Sequence, residues 1–594
     1  MRTMITLLTV TLSLALATNS CKKKEQKSGN EPVKKHPKVV AMKKATTPPT
    51  QKKPAVDWQK QADSFLAKYN SEYAKLEKRE TVSFWQASLT GKKEDYAANG
   101  VAKLDLKKFH SDPGKYKTIE KLLTHEKALK PLTIRSLHVA LNAFKENQLS
   151  NEMLKKIIDL EKDIEQNFQS FRALYKKKKV TNNVLLDNLK KSTVSKERQE
   201  AWDALKAVGA VVGPKLVSLA TVRNEAAKKL GFKNYWTMKV KLQDHNPETL
   251  VALFAELDTL TRAPFKKMKD TMDKELAAKF GCKPQELKPW HYDNPFFQEA
   301  PPQKALDLDV FFKGMKKEDI VAISTRFFKA MGLPMEDIAA RSDYYERSGK
   351  DQNAFCTSID RSGDVRTLLN IKPTAKWMDT MLHESGHAVY DKWIARKLPY
   401  NLREAGHIFT TEGVAMLFGA LVKNPAWLVA FAKADPRKVE KAKGLIAQQR
   451  KREQLIFTRW TLVMLNFEKA LYENPGQDLN KLWWDMVEKY QMLSRPKGRN
   501  LPDWASKPHF TIAPVYYHNY MMGELFAAQM RATMAKMVGY TGPASELVIW
   551  NNPKVTTWLK NLVFKPGMRS QWETMVKNAT GTNLSAKAFS EEIK

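Results

Sequence analysis

Apolar side chains recur every three or four residues through most of this 594-residue chain. The first example, "DWQKQADSFLAKYNSEYAKLEKRETVSFWQASL", begins at Asp57. This spacing places apolar side chains on one face of an α-helix, whereas a half-buried strand alternates every second residue. The sequence therefore predicts a mostly α-helical protein. Further helices are predicted within residues 151–178, 215–240, 250–280, 318–332, 374–397, 411–433, 437–474, 480–493 and 520–538.

Only one part of the sequence indicates β-structure. The run "AFCTSIDRSGDVRTLLNI" (354–371) holds two short strand-forming stretches around Ser362-Gly363, which predicts a small sheet just before the helix at 374–397. Prolines cluster at 295–302 and 499–514 and mark loops between helices. A chain of this length can bury a large core, in one body or in two lobes.

Residues 1–20, "MRTMITLLTVTLSLALATNS", combine one arginine with a short apolar stretch. That composition is typical of a secretory signal peptide. Cys21 follows Ser20, as in bacterial lipoproteins, so we expect Cys21 to become a lipidated N-terminus. The alternative is ordinary cleavage and release of the chain. Both interpretations export the protein, to face the periplasm or the cell surface, and no later stretch is expected to be long and apolar enough to cross a membrane.

Residues 21–56 differ in composition from the rest of the chain. They are rich in Lys, Pro, Thr and Gln and contain almost no large apolar side chains. Such a segment gains too little from burial to offset the entropy of ordering, so a disordered tether is predicted. The folded domain is then predicted to span residues 57–594.

The chain is strongly basic, with a formal net charge of +36, to which the segment from Cys21 to Pro54 contributes +9 through 11 lysines and two glutamates. A basic surface attracts nucleic acid, anionic lipid or acidic substrates. No zinc-finger pair, Gly-rich phosphate loop or RNA-recognition motif accompanies the charge, so we expect no nucleic-acid partner and interpret it as a solvated lysine coat. Only Cys282 and Cys356 follow Cys21, too few for a disulfide framework.

The run "WMDTMLHESGHAVYDKW" contains the strongest chemical signal, the motif HESGH at 383–387. On a helix, His383 and His387 project from one face about one turn apart, which suits two nitrogen ligands of tetrahedral Zn²⁺. Glu384 lies on the adjoining edge, where it can take a proton from a metal-bound water. Two surface histidines on an ordinary helix are the simpler alternative.

A catalytic zinc site needs a third protein ligand. The following sequence, "KLPYNLREAGHIFTTEGVAMLFGAL", lacks the third histidine of an HExxHxxGxxH site. Glu412 instead opens a new helical run, preceded by Thr410 and Thr411 as candidate caps. A helix–loop–helix turn can bring this carboxylate opposite the two imidazoles and leave the fourth position open for water. The prediction is one Zn²⁺ per chain, held by His383, His387 and Glu412.

The sequence around these ligands resembles the angiotensin-converting-enzyme family of zinc peptidases, which are peptidyl-dipeptidase A-like gluzincins. "LPYNLREAGHIFTTEG" follows the family pattern between the second and third ligands. "FEKALYENPGQDLNKLWWDMVEKYQ" (467–491) and "RNEAAKKLGFKNYW" (223–236) resemble two further family stretches. The resemblance extends over residues 57–594. It implies a helical ellipsoid of two lobes around a deep central channel with zinc at its floor, and release of dipeptides from the free C-termini of oligopeptides.

The resemblance also implies roles within "KPHFTIAPVYYHNY" (507–520). His509 and Tyr520 match the family positions that stabilise the oxyanion, although this chain has one extra residue between them. Lys507 and Tyr517 match the positions that bind the substrate's C-terminal carboxylate, a task that calls for a cation and a hydroxyl. An aromatic core stripe beside a surface lysine is the simpler alternative.

One departure from the family pattern concerns the metal ligands. Met416 stands where the family often has an aspartate that hydrogen-bonds a ligand histidine. Another acceptor must then fix the ring of His383, and Asp379, one turn earlier, is the candidate.

Other departures concern the substrate and ion sites. Val487 and Asn519 stand at the family's chloride-binding arginine positions, so no chloride activation is expected. Thr357 replaces a histidine that contacts the substrate backbone, and the family disulfide at Cys356 is missing. These changes weaken the inference of dipeptide release more than that of peptide hydrolysis.

The expected reaction is hydrolysis of a peptide bond. Zn²⁺ would lower the pKa of its water and polarise the carbonyl, while Glu384 would take the water proton and pass it to the leaving amine. His509 and Tyr520 would hold the oxyanion. One alternative is a zinc oligoendopeptidase that does not recognise the C-terminus. Another is an inactive, basic, surface-tethered protein that binds polyanions.

Overall fold

A computed structural model describes residues 56–303 and 305–594. Most of these residues are in α-helices, and the described strands form only two short hairpins. The predicted mostly α-helical fold, with a small sheet before the HESGH helix, is confirmed. The predicted signal peptide (1–20), the predicted lipidation site at Cys21 and all but the last residue of the predicted tether (21–56) lie outside the described residues.

The helices divide at the HESGH motif. Those before it are α1 (Trp58–Thr90), α2 (Lys93–His110), α3 (Pro113–Leu123), α4 (Pro131–Lys145), α5 (Asn151–Ser170), α6 (Asn182–Lys191), α7 (Ser195–Lys206), α8 (Val208–Lys229), α9 (Tyr235–Leu242), α10 (Pro247–Phe280), α11 (Lys317–Ala330) and α12 (Glu336–Ala339). Those from the motif onward are α13 (Ala375–Trp393), α14 (Ile408–Gly419), α15 (Pro425–Ala430), α16 (Pro436–Glu473), α17 (Leu479–Gln491), α18 (His509–Ile512), α19 (Tyr517–Val538), α20 (Pro553–Trp558), α21 (Trp572–Thr580) and α22 (Lys587–Glu592).

The strands form two antiparallel pairs, β1 (Ala173–Tyr175) with β2 (Lys178–Val180) and β3 (Phe355–Ser358) with β4 (Val365–Leu368). The second pair lies where the sequence predicts it. The first pair corrects the predicted helix at 151–178, which ends at Ser170. Its two-residue turn, Lys176-Lys177, has φ angles of 49° and 64°. Such turns usually contain Asn or Gly, so two lysines give no turn signal in the sequence.

Two other predicted helices are interrupted. The helix predicted at 215–240 breaks before α9, and the helix predicted at 411–433 breaks before α15. In both cases an asparagine starts the new helix: the side chains of Asn234 and Asn424 accept first-turn backbone N–H groups at 2.8 Å and 3.1 Å. The apolar period continues through these caps, so spacing alone does not reveal the breaks.

Apolar side chains from α5 to α22 form one contiguous buried cluster, which runs from Ile164 to Ile593. Helices α1 to α4 contribute a smaller cluster of their own around Tyr69 and Phe144. The described residues therefore share one dominant core. The two lobes and the deep channel implied by the family resemblance remain a prediction.

One segment, Ser195–Lys229, which contains α7 and α8, is long and apolar enough to cross a membrane by length and composition alone. This corrects the expectation that no stretch after the leader has that property. Half of its most apolar 18-residue stretch is buried inside the protein. Val212, Leu216 and Leu219 belong to the main core cluster. Buried core helices of globular proteins can have the same length and apolar composition, so packing in the core accounts for the composition of α8.

Candidate metal centre and active site

Helix α13 carries both histidines of the HESGH motif. It begins after Thr374, whose hydroxyl accepts a hydrogen bond from the backbone N–H of Trp377. The rings of His383 and His387 lie 4.9 Å apart between centroids, and their Nε2 atoms are 3.2 Å apart. Two ring nitrogens therefore point at one place beside the helix.

The glycine of the motif lets the next helix approach. A Cβ atom added to Gly386 would lie 2.9 Å from Cα of Ala415 on α14, so any side chain there would push the two helices apart. This close crossing brings the third predicted ligand to the histidines. Oε2 of Glu412 lies 3.7 Å from Nε2 of His383 and 3.9 Å from Nε2 of His387.

The donor set of these three side chains fits a divalent metal. One potential ligand atom from each residue lies within 4.8 Å of the others. Burial lowers the pKa of His383 to about 4 and raises that of Glu412 to about 7. Both imidazoles thus keep a lone pair, and no lysine or arginine of the described chain forms an ion pair with Glu412. Two neutral imidazoles and one carboxylate suit a catalytic Zn²⁺. We call His383, His387 and Glu412 the metal centre.

Thr411 contacts the second histidine ring. Its Oγ1 lies 2.7 Å from Nδ1 of His387. When Nε2 of His387 serves as a metal ligand, Nδ1 carries the proton and donates to this hydroxyl, which fixes the ring. The sequence indicates only a capping role for Thr410 and Thr411. The N-cap of α14 is instead His407, whose ring accepts the backbone N–H of Phe409.

The candidate acceptor for the first histidine is not confirmed. No hydrogen bond joins Asp379 to His383 in the described part of the chain, and the carboxylate of Asp379 lies against Gly419 of α14. Burial raises the pKa of Asp379 to about 6. The substitution of the family aspartate by Met416 is therefore not compensated by Asp379.

Glu384 lies between the metal centre and the second hairpin. Its carboxylate accepts a hydrogen bond from the backbone N–H of Cys356 on β3. Burial, and then the carboxylate of Glu412, raise the pKa of Glu384 to about 8. The small sheet thus orients a glutamate that holds a proton readily in the absence of a nearby cation.

Two other positions that depart from the family lie on β3. Thr357 is buried and pairs with Arg366 across the hairpin. Cys356 and Cys282 form no disulfide within the described residues. Stability therefore rests on packing, as the cysteine count predicts.

The turn before α19 and its first residues bring several predicted aromatic residues together. The ring centroids of His509 and Tyr517 lie 4.9 Å apart, and those of Tyr517 and Tyr520 lie 5.6 Å apart. Burial, and then the charge of Glu412, raise the pKa of Tyr520. Burial, and then the ammonium of Lys507, lower the pKa of His509 to about 3. This row of rings connects the metal centre to Lys507.

Lys507 is buried among aromatic rings and is not on the surface. Its Nζ donates to Oε1 of Gln298 at 2.6 Å. The same atom lies 5.2, 5.1 and 5.4 Å from the ring centroids of Phe296, Trp460 and Tyr517. Burial lowers the pKa of Lys507 to about 7, against the opposite effect of the Glu299 carboxylate, and no ion pair joins the lysine to a carboxylate of residues 56–303 or 305–594. We call Lys507, Gln298 and these three rings the lysine box.

The two positions that replace chloride-binding arginines carry no charge. Val487 belongs to the main apolar core. Asn519 is fully buried, where its Nδ2 donates to Oε1 of Gln243 at 2.8 Å and its Oδ1 lies 3.3 Å from Nε2 of His245. Asn519 thus forms a neutral hydrogen-bonded network.

Three residues of this region have no motif in the sequence that marks them. Thr411 contacts a predicted ligand, Gln298 contacts Lys507, and Tyr516 contacts Tyr520. Their only signals are indirect: Thr411 precedes the third ligand, Gln298 lies in the proline-rich loop 295–302, and Tyr516 precedes Tyr517.

Sequence comparison adds an independent observation. A model of the peptidase family M2, described as "Angiotensin-converting enzyme", matches residues 56–592. The protein of that name from Rattus norvegicus is 22% identical over 423 residues, which are 66% of this chain and 32% of that protein. Its counterparts from Mus musculus and Bos taurus are 23% and 21% identical over 47% and 46% of this chain, and 22% of each relative is matched. The chain therefore spans about a third or less of these relatives.

Proposed function

Because this chain belongs to the angiotensin-converting enzyme family of peptidases, we propose that it is a zinc metallopeptidase that releases dipeptides from the free C-termini of oligopeptides. The observation that carries the proposal is the meeting of two imidazoles and a carboxylate, from two helices, beside a buried glutamate. The curated relatives extend far beyond the matched region, so substrate and cleavage position are argued from the residues of this chain.

The metal centre would hold one Zn²⁺ through Nε2 of His383, Nε2 of His387 and a carboxylate oxygen of Glu412. When bound, zinc supplies a Lewis acid that polarises the scissile carbonyl and acidifies the attacking water. Thr411 holds the ring of His387 in place, and Gly386 sets the distance between the two helices. Three protein ligands leave one position for the reaction, which is the arrangement of catalytic sites.

Glu384 is the proposed general base. Positive charge at the metal centre would offset the burial and the repulsion from Glu412 that raise its pKa, so the carboxylate can accept the proton of the attacking water. The same group then returns the proton to the leaving amine. The N–H of Cys356 keeps the carboxylate oriented during both transfers.

His509 and Tyr520 are the proposed donors to the oxygen of the scissile carbonyl as it gains charge. Nδ1 of His509 is enclosed and has no hydrogen-bond partner in the described chain, which leaves Nε2 to reach a ligand. The raised pKa of Tyr520 keeps its hydroxyl protonated and able to donate. Electrostatic stabilisation requires both donors to be in place before substrate binds.

The lysine box supports recognition of a free C-terminus. A buried ammonium with one amide acceptor and no paired carboxylate is costly, and a carboxylate from the substrate would complete it. The ring of Tyr517 lies 5.4 Å from the same ammonium, and its hydroxyl is the proposed second donor to the carboxylate. A free peptide C-terminus supplies such a carboxylate, whereas an amidated one does not.

The test is mass spectrometry of products from an unbiased peptide pool, with zinc and with a chelator. Dipeptides released from free C-termini only, in a chelator-sensitive reaction, support the proposal. Equal cleavage of amidated and free peptides would indicate an oligoendopeptidase and remove the anchoring role of Lys507 and Tyr517. Absence of any chelator-sensitive cleavage, together with salt-sensitive binding of polyanions, would contradict enzymatic function altogether.

We also propose that the reaction takes place outside the cytoplasm, on a membrane surface. The support is the leader at 1–20 and the cysteine that follows it. Metabolic labelling with a radioactive fatty acid tests the anchor: incorporation that is lost in Cys21→Ser supports it. Secretion of an unlabelled chain would contradict the anchor and leave export intact.

A further inference from the structure

Helix α19 presents one stripe of side chains to the metal centre. Gly523 marks this face, because a Cβ atom added to it would lie 3.1 Å from Cβ of Glu412. Tyr520 and Tyr516 precede Gly523 by three and seven residues, the spacing that keeps side chains on one face of a helix. Tyr516 is the N-cap residue of α19, and its ring lies 5.1 Å from that of Tyr520 between centroids, in an edge-on arrangement. Two phenols therefore lie side by side near Glu412.

The turn before Tyr516 is held in an unusual conformation. Val515 has a φ angle of 55°, which is sterically unfavourable for a β-branched residue. Its N–H donates to Oε1 of Glu468 at 2.8 Å, and its carbonyl accepts from Nε2 of Gln243 at 3.0 Å. Both partners are buried side chains of neighbouring elements. Strained backbone persists where its surroundings fix it from several sides, so the position of Tyr516 is well determined.

Both hydroxyls are available to a ligand. A phenol keeps its proton at neutral pH because its ordinary pKa is about 10. Neither hydroxyl has a hydrogen-bond partner within the described chain, and both side chains are only partly buried. A protonated phenol without an internal acceptor can donate to a ligand.

We propose that Tyr516 is a second phenolic donor of the active site, which shares with Tyr520 the carbonyl oxygen of the peptide bond that is cleaved. The proposal rests on the proposed peptidase function and adds a residue to it. Tyr516 donates a hydrogen bond and transfers no proton. Two donors beside one oxygen stabilise the charge it gains more than one donor does.

The test compares Tyr516→Phe, Tyr520→Phe and the double variant, with Tyr540→Phe beyond the far end of α19 as matched control. Phenylalanine keeps each ring and removes only the hydroxyl. Each single variant is expected to lose roughly tenfold in kcat with little change in KM, and the double variant roughly 10²-fold, the product of the two single losses. Tyr540→Phe is expected to match the unmodified chain.

A binding measurement gives a second readout. Calorimetry with a phosphinic peptide is expected to show weaker binding to Tyr516→Phe, because its tetrahedral phosphorus imitates the tetrahedral carbon of the reaction and its charged oxygen imitates the carbonyl oxygen that gains charge. A dipeptide product is expected to bind this variant and the unmodified chain equally. Unaltered kcat and phosphinic-peptide affinity in Tyr516→Phe, with a double variant equal to Tyr520→Phe, would overturn the role of Tyr516. Failure of the unmodified zinc-loaded protein to cleave any peptide would contradict the proposed function instead.

Discussion

The metal centre and the lysine box bury charge of opposite sign. At the metal centre, Glu384 and Glu412 are buried with no paired lysine or arginine among the described residues, and their pKa values rise to about 8 and about 7. In the lysine box, Lys507 is buried with one amide acceptor, and its pKa falls to about 7. Burial shifts each group toward its neutral form, and no ion pair with a lysine, arginine or carboxylate of the described chain offsets the shift, although the carboxylate of Glu299 acts against it at Lys507.

The sign of the missing counter-charge indicates the ligand of each region. Two carboxylates and two imidazole lone pairs call for a cation, which supports a metal at that end. One ammonium and a phenol call for an anion with oxygen acceptors, which supports a peptide C-terminus at the other. The row of rings from Tyr520 to Tyr517 connects the two regions. A peptide that satisfies both would present its carboxylate at one end and a scissile carbonyl at the other.

The strongest test of the metal end is Glu384→Gln, which removes the base and keeps the shape of the side chain. We expect kcat to fall by roughly 10³–10⁴-fold, because proton transfer from the attacking water loses its acceptor. Zinc content measured by mass spectrometry should stay at one ion per chain, since Glu384 is not one of the three residues of the metal centre. Turnover close to that of the unmodified chain would refute the assignment of Glu384.

The matching test of the lysine box is Lys507→Met, which replaces the ammonium by an apolar group of similar length. We expect KM for peptides with a free C-terminus to rise by roughly 10²-fold, because one charge-assisted hydrogen bond is lost. Amidated peptides serve as the matched control and should be unaffected. A variant that keeps its preference for free over amidated peptides would remove Lys507 from recognition.

The same lysine predicts an alkaline limb in the pH profile. A carboxylate pairs only with the protonated lysine, whose pKa in the free protein is lowered to about 7 by burial. KM for free peptides should therefore increase as pH rises above 7, and this increase should be absent for amidated peptides and in Lys507→Met. This increase of KM above pH 7 is therefore expected to depend on the lysine box alone.

Metal binding should show the opposite trend with pH. The carboxyl group of Glu412, with a pKa of about 7, must lose its proton to bind a cation, whereas burial keeps His383 neutral already. Zinc affinity should therefore decrease about tenfold for each pH unit below 7. Calorimetry in two buffers of different ionisation enthalpy measures the released protons. Glu384→Gln serves as control, since it removes the proton of Glu384 and keeps that of Glu412. A zinc affinity that stays constant between pH 6 and pH 8 would contradict this linkage.

Local patterns and long-range packing explain what the sequence could predict. The three- and four-residue period predicts the helices, and HExxH predicts two ligands, because each depends on neighbours within one turn. The approach of Glu412 depends on the glycine contact at Gly386, which only the packed helices reveal. Gln298 and Tyr516 meet their partners through loops, and Lys176-Lys177 forms a turn without turn residues. These features depend on tertiary contacts that no local pattern encodes.

The smallest effect is expected from chloride. Asn519 stands at the position of one missing family arginine. It donates a hydrogen bond to Gln243 and contacts His245, so this position has no positive charge that could bind chloride. At the other, Val487 lies in the apolar core. Lys206 is a buried lysine whose Nζ lies 3.2 Å from the ring centroid of Phe296, beside the lysine box, and burial lowers its pKa well below its usual range, so the uncharged amine is favoured.

These contacts predict that replacing acetate by chloride at equal ionic strength changes kcat/KM by less than about twofold, because general screening is held constant. Unlike the metal centre and the lysine box, the surroundings of Asn519 leave no charge without a partner. A chloride activation of tenfold or more would contradict the inference that only a buried charge without a partner indicates a ligand site.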